Sequence, residues 1–137
     1  MNWTRIAVPT DSRTQLIDIT NIVAAELAKT GVKNGTCYVY IPHTTAGLTI
    51  NENADPDVGR DILAGLARLV PATGDYRHAE GNSDAHLKAS LMGFSVMVPV
   101  IDGRLALGTW QAIYFCEFDG PRRRRLLVGV TGEAGAG

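Results

Sequence analysis

Apolar residues at Ile22, Val23, Leu27 and Ala28 fall on one helical face, which predicts a helix over 21–30 with Thr20 as its N-cap and Gly31 just past its end. A second helical pattern, Val58, Ile62, Leu66 and Leu69, follows Asp55-Pro56-Asp57. Those three residues supply a capping carboxylate, a proline at the first helical position and a second acid in the positive field of a helix N-terminus. The predicted helix covers 56–70 and stops at Pro71. Asn82 or Ser83 can open a short third helix that reaches about Met92 and is closed by Gly93.

The rest of the pattern is β. Positions 3–9 alternate and end at Pro9, positions 15–19 form a short apolar run, and 36–41 are rich in aromatic and β-branched residues. Asp102-Gly103 is a hairpin signal between a run at 94–101 and a strand beginning at Leu105. Strands over 112–118 and 126–130 complete the pattern, with Asp119-Gly120-Pro121 turning between them. Positions 71–81 read as a loop, and the small polar tail from about 131 is expected to be flexible. Strands with helices inserted between the early ones predict a single α+β domain over 1–137 with a largely antiparallel sheet.

Composition narrows the partners. A hydrophobic fraction of 45% supports a packed core, and a net charge of -1 with pI near 6.3 gives no field to hold nucleic acid. The longest apolar run, 94–101, is broken by Ser95 and Pro99 and is too short to span a bilayer, so no membrane partner is expected. The first residues show no basic-then-apolar export pattern. Cys37 and Cys116 lie in strand-like surroundings and are expected to be reduced and buried, which points to the cytoplasm.

Chemistry concentrates in the stretch from Pro42 to Asp57, which the pattern predicts as two strand segments separated at 45–47. It holds His43, Thr44, Thr45, Asn51, Glu52, Asn53, Asp55 and Asp57. The other histidines, His78 and His86, flank Glu80 and Asn82, and a helix opened at Asn82 places Asn82 and His86 on one face. A histidine taken alone is ordinarily structural. Three of them meeting in the fold would offer the nitrogen set that a zinc-like dication accepts. Asp55 is explained by capping and Asp57 by the helix dipole, which leaves Glu52 as the better acid/base candidate, with His43 and Asp57 beside it. Gly108-Thr109-Trp110-Gln111 interrupts the late β run, either as a bulge with a core tryptophan or as a ligand-contacting segment. Arg122 to Arg125 form a basic run of the kind found on solvated turns, from which an arginine could grip a phosphate. No P-loop, dinucleotide fingerprint or Ser-His-Asp motif with supporting context occurs.

These residues resemble the YjbQ family of small bacterial and archaeal proteins. The likeness is carried by His43-Thr44-Thr45, Asn51-Glu52, Asp55-Pro56-Asp57-Val58, the segment from His78 to Leu87, and Ser90 through Gly103 to Gly108-Thr109-Trp110-Gln111. It runs from about Arg5 to Val130. The resemblance implies a curved, half-barrel or sandwich-like sheet with two to three helices, assembled as a homotrimer with the histidine-rich site near a subunit boundary. It implies a weak thiamine-phosphate synthase activity, joining hydroxymethylpyrimidine diphosphate and a thiazole phosphate with release of pyrophosphate. On that expectation His43, His78 and His86 contact a divalent metal, zinc or magnesium, or phosphate. Glu52, His43 and Asp57 are the catalytic candidates, Thr44, Thr45 and Asn82 are donors, and Trp110 with Gln111 floors the pocket. The alternatives are another metal-dependent enzyme acting on a small phosphorylated metabolite, and a non-catalytic trimer that binds an anion or a metal.

Overall fold

The computed structural model, described for residues 1–135, places two antiparallel sheets face to face. In chain order the elements are β1 (Trp3–Pro9), β2 (Gln15–Asp18), α1 (Thr20–Thr30), β3 (Asn34–Tyr40), β4 (Ala46–Glu52), α2 (Pro56–Leu69), α3 (Ser83–Met92), β5 (Ser95–Ile101), β6 (Arg104–Leu105), β7 (Gln111–Glu117) and β8 (Arg123–Glu133). The larger sheet has the order β1-β8-β3-β5-β6 and the smaller β2-β7-β4, with every pairing antiparallel. This is the expected α+β fold, a curled antiparallel half-barrel with three helices.

Strand alternation explains the two cores. Val8, Cys37, Val39, Val98, Val100, Leu126 and Val128 point from the large sheet toward Leu48, Ile113 and Phe115 of the small one, and α1 adds Val23 and Leu27. The other face of β7 carries Ala112, Tyr114 and Cys116, covered by Leu66 of α2 and by Ala85 and Ala89 of α3. With both faces covered, β7 is buried along almost its whole length, as its near-continuous apolar sequence requires. Fully burying a side chain such as Phe115 contributes about 1.5–3 kcal/mol. Both cysteines are buried free thiols, and burial pushes Cys37 up to about 11 and Cys116 up to about 12.

Several local expectations change. Asp55 caps α2 as predicted, accepting from the Asp57 N–H at 2.9 Å. Thr20 does not cap α1; it is the first helical residue, and its hydroxyl accepts from the Ile113 N–H at 2.9 Å. The β2–β7 ladder ends at Asp18↔Tyr114, so that hydroxyl satisfies the next N–H along β7. The predicted strand through His43 divides at Tyr40, because β3 and β4 belong to different sheets and Ile41 to Thr45 must cross between them. Asp102 and Gly103 turn the hairpin with φ of 53° and 78°, but β6 is only two residues long. The tail expected to loosen from 131 is paired through Glu133, opposite Asn34. Residues 136–137 of that tail lie outside the described residues.

Gly47 fixes the third helix. A side-chain carbon there would sit 2.8 Å from the Met92 Cβ and 2.9 Å from the Gly93 carbonyl oxygen, and that same oxygen accepts from the Leu48 N–H at 3.0 Å. The end of α3 therefore lies directly on β4, which sets where its first turn arrives.

Candidate functional site

The basic run resolves by strand alternation. Because β8 begins at Arg123, Arg124 turns inward while Arg123 and Arg125 stay exposed. The Arg124 guanidinium donates from Nε to both Glu117 oxygens at 2.9 and 3.1 Å and from Nη2 to Glu117 Oε2 at 2.6 Å. Nη2 also donates to the Thr45 hydroxyl at 2.8 Å. Glu117 is fully buried and accepts further from the Thr10 hydroxyl at 2.7 Å and from the N–H groups of Phe118 and Asp119. Burial alone would raise this carboxyl; the bonds from Arg124, Thr10 and Asp119 overcome it and hold the group below the ordinary carboxylate range. Nε and Nη2 are thus occupied, which leaves Nη1 for the hollow that Arg124 lines.

His43 closes the open end of the β8 ladder. The β3–β8 pairing stops at Tyr40↔Leu127, and the Arg125 N–H beyond it donates to His43 Nε2 at 3.0 Å. An Nε2 that accepts is unprotonated, so the neutral ring carries its proton on Nδ1. Burial, then the Arg124 and Arg125 charges, hold the imidazole below its ordinary value of 6.5.

The hollow, about 340 Å³, gathers residues from three parts of the chain. The crossing after β3 supplies Pro42, His43, Thr44 and Thr45; the start of α3 supplies Glu80, Asn82 and His86; the turn into β8 supplies Asp119, Arg122 and Arg124. Asp119 joins the last two groups, accepting from Asn82 Nδ2 at 2.9 Å and from Arg122 Nη2 at 3.1 Å. Asn82 Oδ1 is buried without a hydrogen-bond partner among the described residues. Behind it, Asp84 is fully buried and accepts from Lys88 Nζ at 2.9 Å and from Arg13 Nη2 at 3.0 Å. Burial would raise Asp84, but those two cations hold it low. The loop carrying Arg13 also binds the turn before β8: Gly120 N–H donates to the Arg13 carbonyl at 3.1 Å, and Arg122 N–H to the Thr10 hydroxyl at 2.9 Å.

The fold brings His43, Thr44, Thr45, Asn82 and His86 of the predicted set together, and it separates the others. His78 packs edge-on against His86 with ring centres 5.4 Å apart, and it faces Tyr76 and Arg77 in a neighbouring hollow. Thr45 is a buried acceptor for Arg124, not the free donor expected. Glu52 closes the far end of β4 opposite Gln111, about 23 Å from Thr45 at the rise of a strand. Asp57 is an exposed first-turn residue 3.5 Å from Arg60. Trp110 is 62% exposed, and Gln111 Oε1 accepts from the Gly108 N–H at 2.8 Å, so neither floors the hollow. Glu117, Asp119, Arg122 and Arg124 build what the histidines were expected to build. Of these only the arginine run gave a signal in the sequence.

The metal expectation meets a poor donor set. Among the described residues no three His, Cys, Asp or Glu side chains converge as ligands, so the set His43, His78 and His86 is not formed within the chain. Nε2 of His43 is already bonded, and the charges that act on that ring are Arg124 and Arg125, opposed by the weaker influence of Glu117. The wall offers Arg122, Arg124 and His86 to an anion, beside two carboxylates, Glu80 and Asp119, of which Asp119 is bonded to Arg122.

Comparison with known proteins gives the chain its relatives. YugU of Bacillus subtilis, a UPF0047 protein, is 51% identical over 128 residues, which is 93% of this chain and 97% of the relative. A UPF0047 protein of Methanocaldococcus jannaschii is 49% identical over 126 residues, 92% of this chain and 91% of the relative. The crystal structure of a YjbQ/UPF0047-family protein of Clostridium acetobutylicum matches with a TM-score of 0.92 at 54% identity, covering 93% of this chain and 99% of that one. A hypothetical protein of Aeropyrum pernix K1 also reaches 0.92, at 40% identity over 97% of this chain and all (100%) of the other. The profile described as UPF0047 protein YjbQ-like matches residues 4–133, and the chain therefore belongs to the YjbQ family.

Proposed function

We propose that the hollow beside Arg124 holds the diphosphate of a small substrate and that the protein is a transferase of thiamine-phosphate synthase type. One observation carries this reading: a buried guanidinium, locked by Glu117 and Thr45, keeps a donor nitrogen for a cavity that Arg122 and His86 also line. The reaction joins hydroxymethylpyrimidine diphosphate to a thiazole phosphate. The methylene–oxygen bond breaks and its electron pair leaves with pyrophosphate, while the thiazole nitrogen lone pair forms the new carbon–nitrogen bond. That balance requires no proton transfer, so the protein's task is to neutralise the departing anion and position the ring. Preorganised donors suit this task better than a free carboxylate base does. A cavity of 340 Å³ is within the usual range for small-ligand sites.

The experiment is a steady-state assay with both substrates, following pyrophosphate release and thiamine phosphate formation. Condensation by the wild type and at least a tenfold lower kcat/KM in His86→Ala support the reading. Hydrolysis of the diphosphate without condensation overturns it in favour of a hydrolase on a phosphorylated metabolite, and anion binding without turnover overturns it in favour of a binding protein. The last alternative has its own support, since Glu117 behind the hollow and Asp119 on its wall are both already bonded to arginines.

A homotrimer belongs to the same proposal. Phe94, Met97 and Ile101 are each more than half exposed at β5, an apolar surface that assembly would cover. A cytoplasmic location is supported by the two buried free thiols, and among the described residues no helix is long and apolar enough to cross a membrane.

A further inference from the structure

At the hollow beside Arg124, carboxylates outnumber arginines. Of the lining residues, Arg122 is paired with Asp119 at 3.1 Å, and Arg124 is paired at 2.6 Å with Glu117, which is buried behind it. That leaves Glu80, a third carboxylate, unmatched by an arginine or lysine among the described residues. Its one ionic contact is His78 Nε2 at 3.7 Å, which is longer than a hydrogen bond. Arg5 and Arg125 stand beyond Pro42 in a separate hollow, and Arg77 lines the neighbouring one with Asp75. The chain's entry into α3 brings Glu80 to this place. Gly81 takes a left-handed φ of 76° with open space around it, so backbone conformation is what selects glycine there. One residue later, Asn82 is fixed to Asp119 at 2.9 Å.

We propose that Glu80 determines the specificity of this hollow: the ligand is an anion that carries a protonated amine of its own, with the anionic end on Arg122, Arg124 and His86 and the ammonium on Glu80. This rests on the hollow being the anion site of the proposed function. A bare anion gains hydrogen bonds from those donors but also meets an unmatched negative charge, and a repulsive element of that kind discriminates between ligands. An ammonium attached to the anion turns the repulsion into an attraction and asks for no further donor from the protein. A dication riding on the anion would answer the same charge. However, Asp119 already accepts from Asn82 and Arg122, and among the described residues no three carboxylate, imidazole or thiol groups converge as metal ligands. A metal would find Glu80 alone, whereas an ammonium needs only one carboxylate. The Glu80 side chain is 72% exposed, so the pair is partly solvated and changes affinity by up to about fivefold.

The test is calorimetric titration of the full chain, in the presence of a chelator, with O-phosphoethanolamine and propyl phosphate, two monoesters of equal length that differ in the amine. Inorganic pyrophosphate is titrated beside them, with and without magnesium. The variant is Glu80→Gln, which keeps the size of an exposed side chain and removes its charge, so the urea unfolding midpoint should not move. The wild type is expected to bind phosphoethanolamine about fivefold more tightly than propyl phosphate, and the variant to bind the two about equally. Magnesium-free pyrophosphate should bind about two- to threefold more tightly to the variant than to the wild type. A preference below about twofold in the wild type, or one that survives in Glu80→Gln, overturns the assignment. If pyrophosphate binds in that case, the anion site stands without it. If magnesium raises pyrophosphate affinity only where Glu80 is present, with no amine preference, Glu80 serves a metal carried by the ligand and the proposal is overturned. If the amine preference depends on Glu80 while pyrophosphate binds in neither form, the specificity stands and the diphosphate reading falls.

Discussion

The backbone N–H of Arg125 donates to Nε2 of His43 at 3.0 Å, so an imidazole stands where a strand carbonyl would otherwise be. The neutral ring should therefore be the Nδ1–H tautomer, which nitrogen-15 NMR of the imidazole reads directly. Its depressed proton affinity sets the pH dependence. In the unfolded chain the group titrates near 6.5, and in the fold it titrates lower. As pH falls through 6.5 the unfolded chain takes up the proton first, so stability declines and then levels off below the folded value. Urea unfolding between pH 8 and 5 should show this decline in the wild type, and a smaller one in His43→Asn.

Glu117→Gln should be among the most damaging single changes. It leaves the Arg124 guanidinium, 6% exposed, without its counter-charge. Breaking a buried pair of this kind costs about 3–5 kcal/mol, which a shift in the urea midpoint measures. The depressed carboxyl of Glu117 also stabilises the fold at any pH above its ordinary 4.5, and that contribution disappears as pH falls through the folded value. The acid limb of the wild-type stability curve should flatten in the variant.

Gly47→Ala tests how closely α3 lies on β4. The added carbon meets the Met92 Cβ at 2.8 Å and the Gly93 carbonyl at 2.9 Å, one of them backbone, so helix and strand must move apart. A loss of about 1–3 kcal/mol is expected from such overpacking. Because the same helix carries Asn82 and His86 into the hollow, pyrophosphate affinity should fall together with stability, as paired calorimetry and denaturation will show.

His86→Ala and Glu52→Gln separate the cavity from the rest of the polar stretch. His86 lines the hollow, while Glu52 closes the opposite end of β4. Pyrophosphate affinity should fall about tenfold in the first, the loss of a hydrogen bond to a charged group, and remain within twofold of wild type in the second. Equal losses in the two would place Glu52 at the anion through another route.

What the sequence made legible was mostly local. Asp55 before Pro56, Gly93 after Met92 and Asp102-Gly103 each act within a few residues of themselves, and each sits where the pattern put it. Thr20 misled because its hydroxyl serves Ile113, 93 positions away, and no window along the chain contains that partner. The site divides in the same way. His43, Asn82 and His86 were visible as chemistry in unexpected places, but Glu117 lies at the end of an apolar strand and its role depends on Thr10, Arg124 and Thr45 arriving from elsewhere. Arg124 differs from Arg123 and Arg125 only in strand phase, which the run conceals until the start of β8 is known.

The short loop from Thr10 to Arg13 reaches both sides of the hollow from behind, binding Glu117 and Arg122 with one end and Asp84 with the other. It works as a spacer: the gap across the cavity mouth is set by a segment that does not itself line the hollow. A one-residue insertion there would change the gauge of the site while every lining side chain stayed the same, so relatives that differ only in that loop would sort their ligands by size.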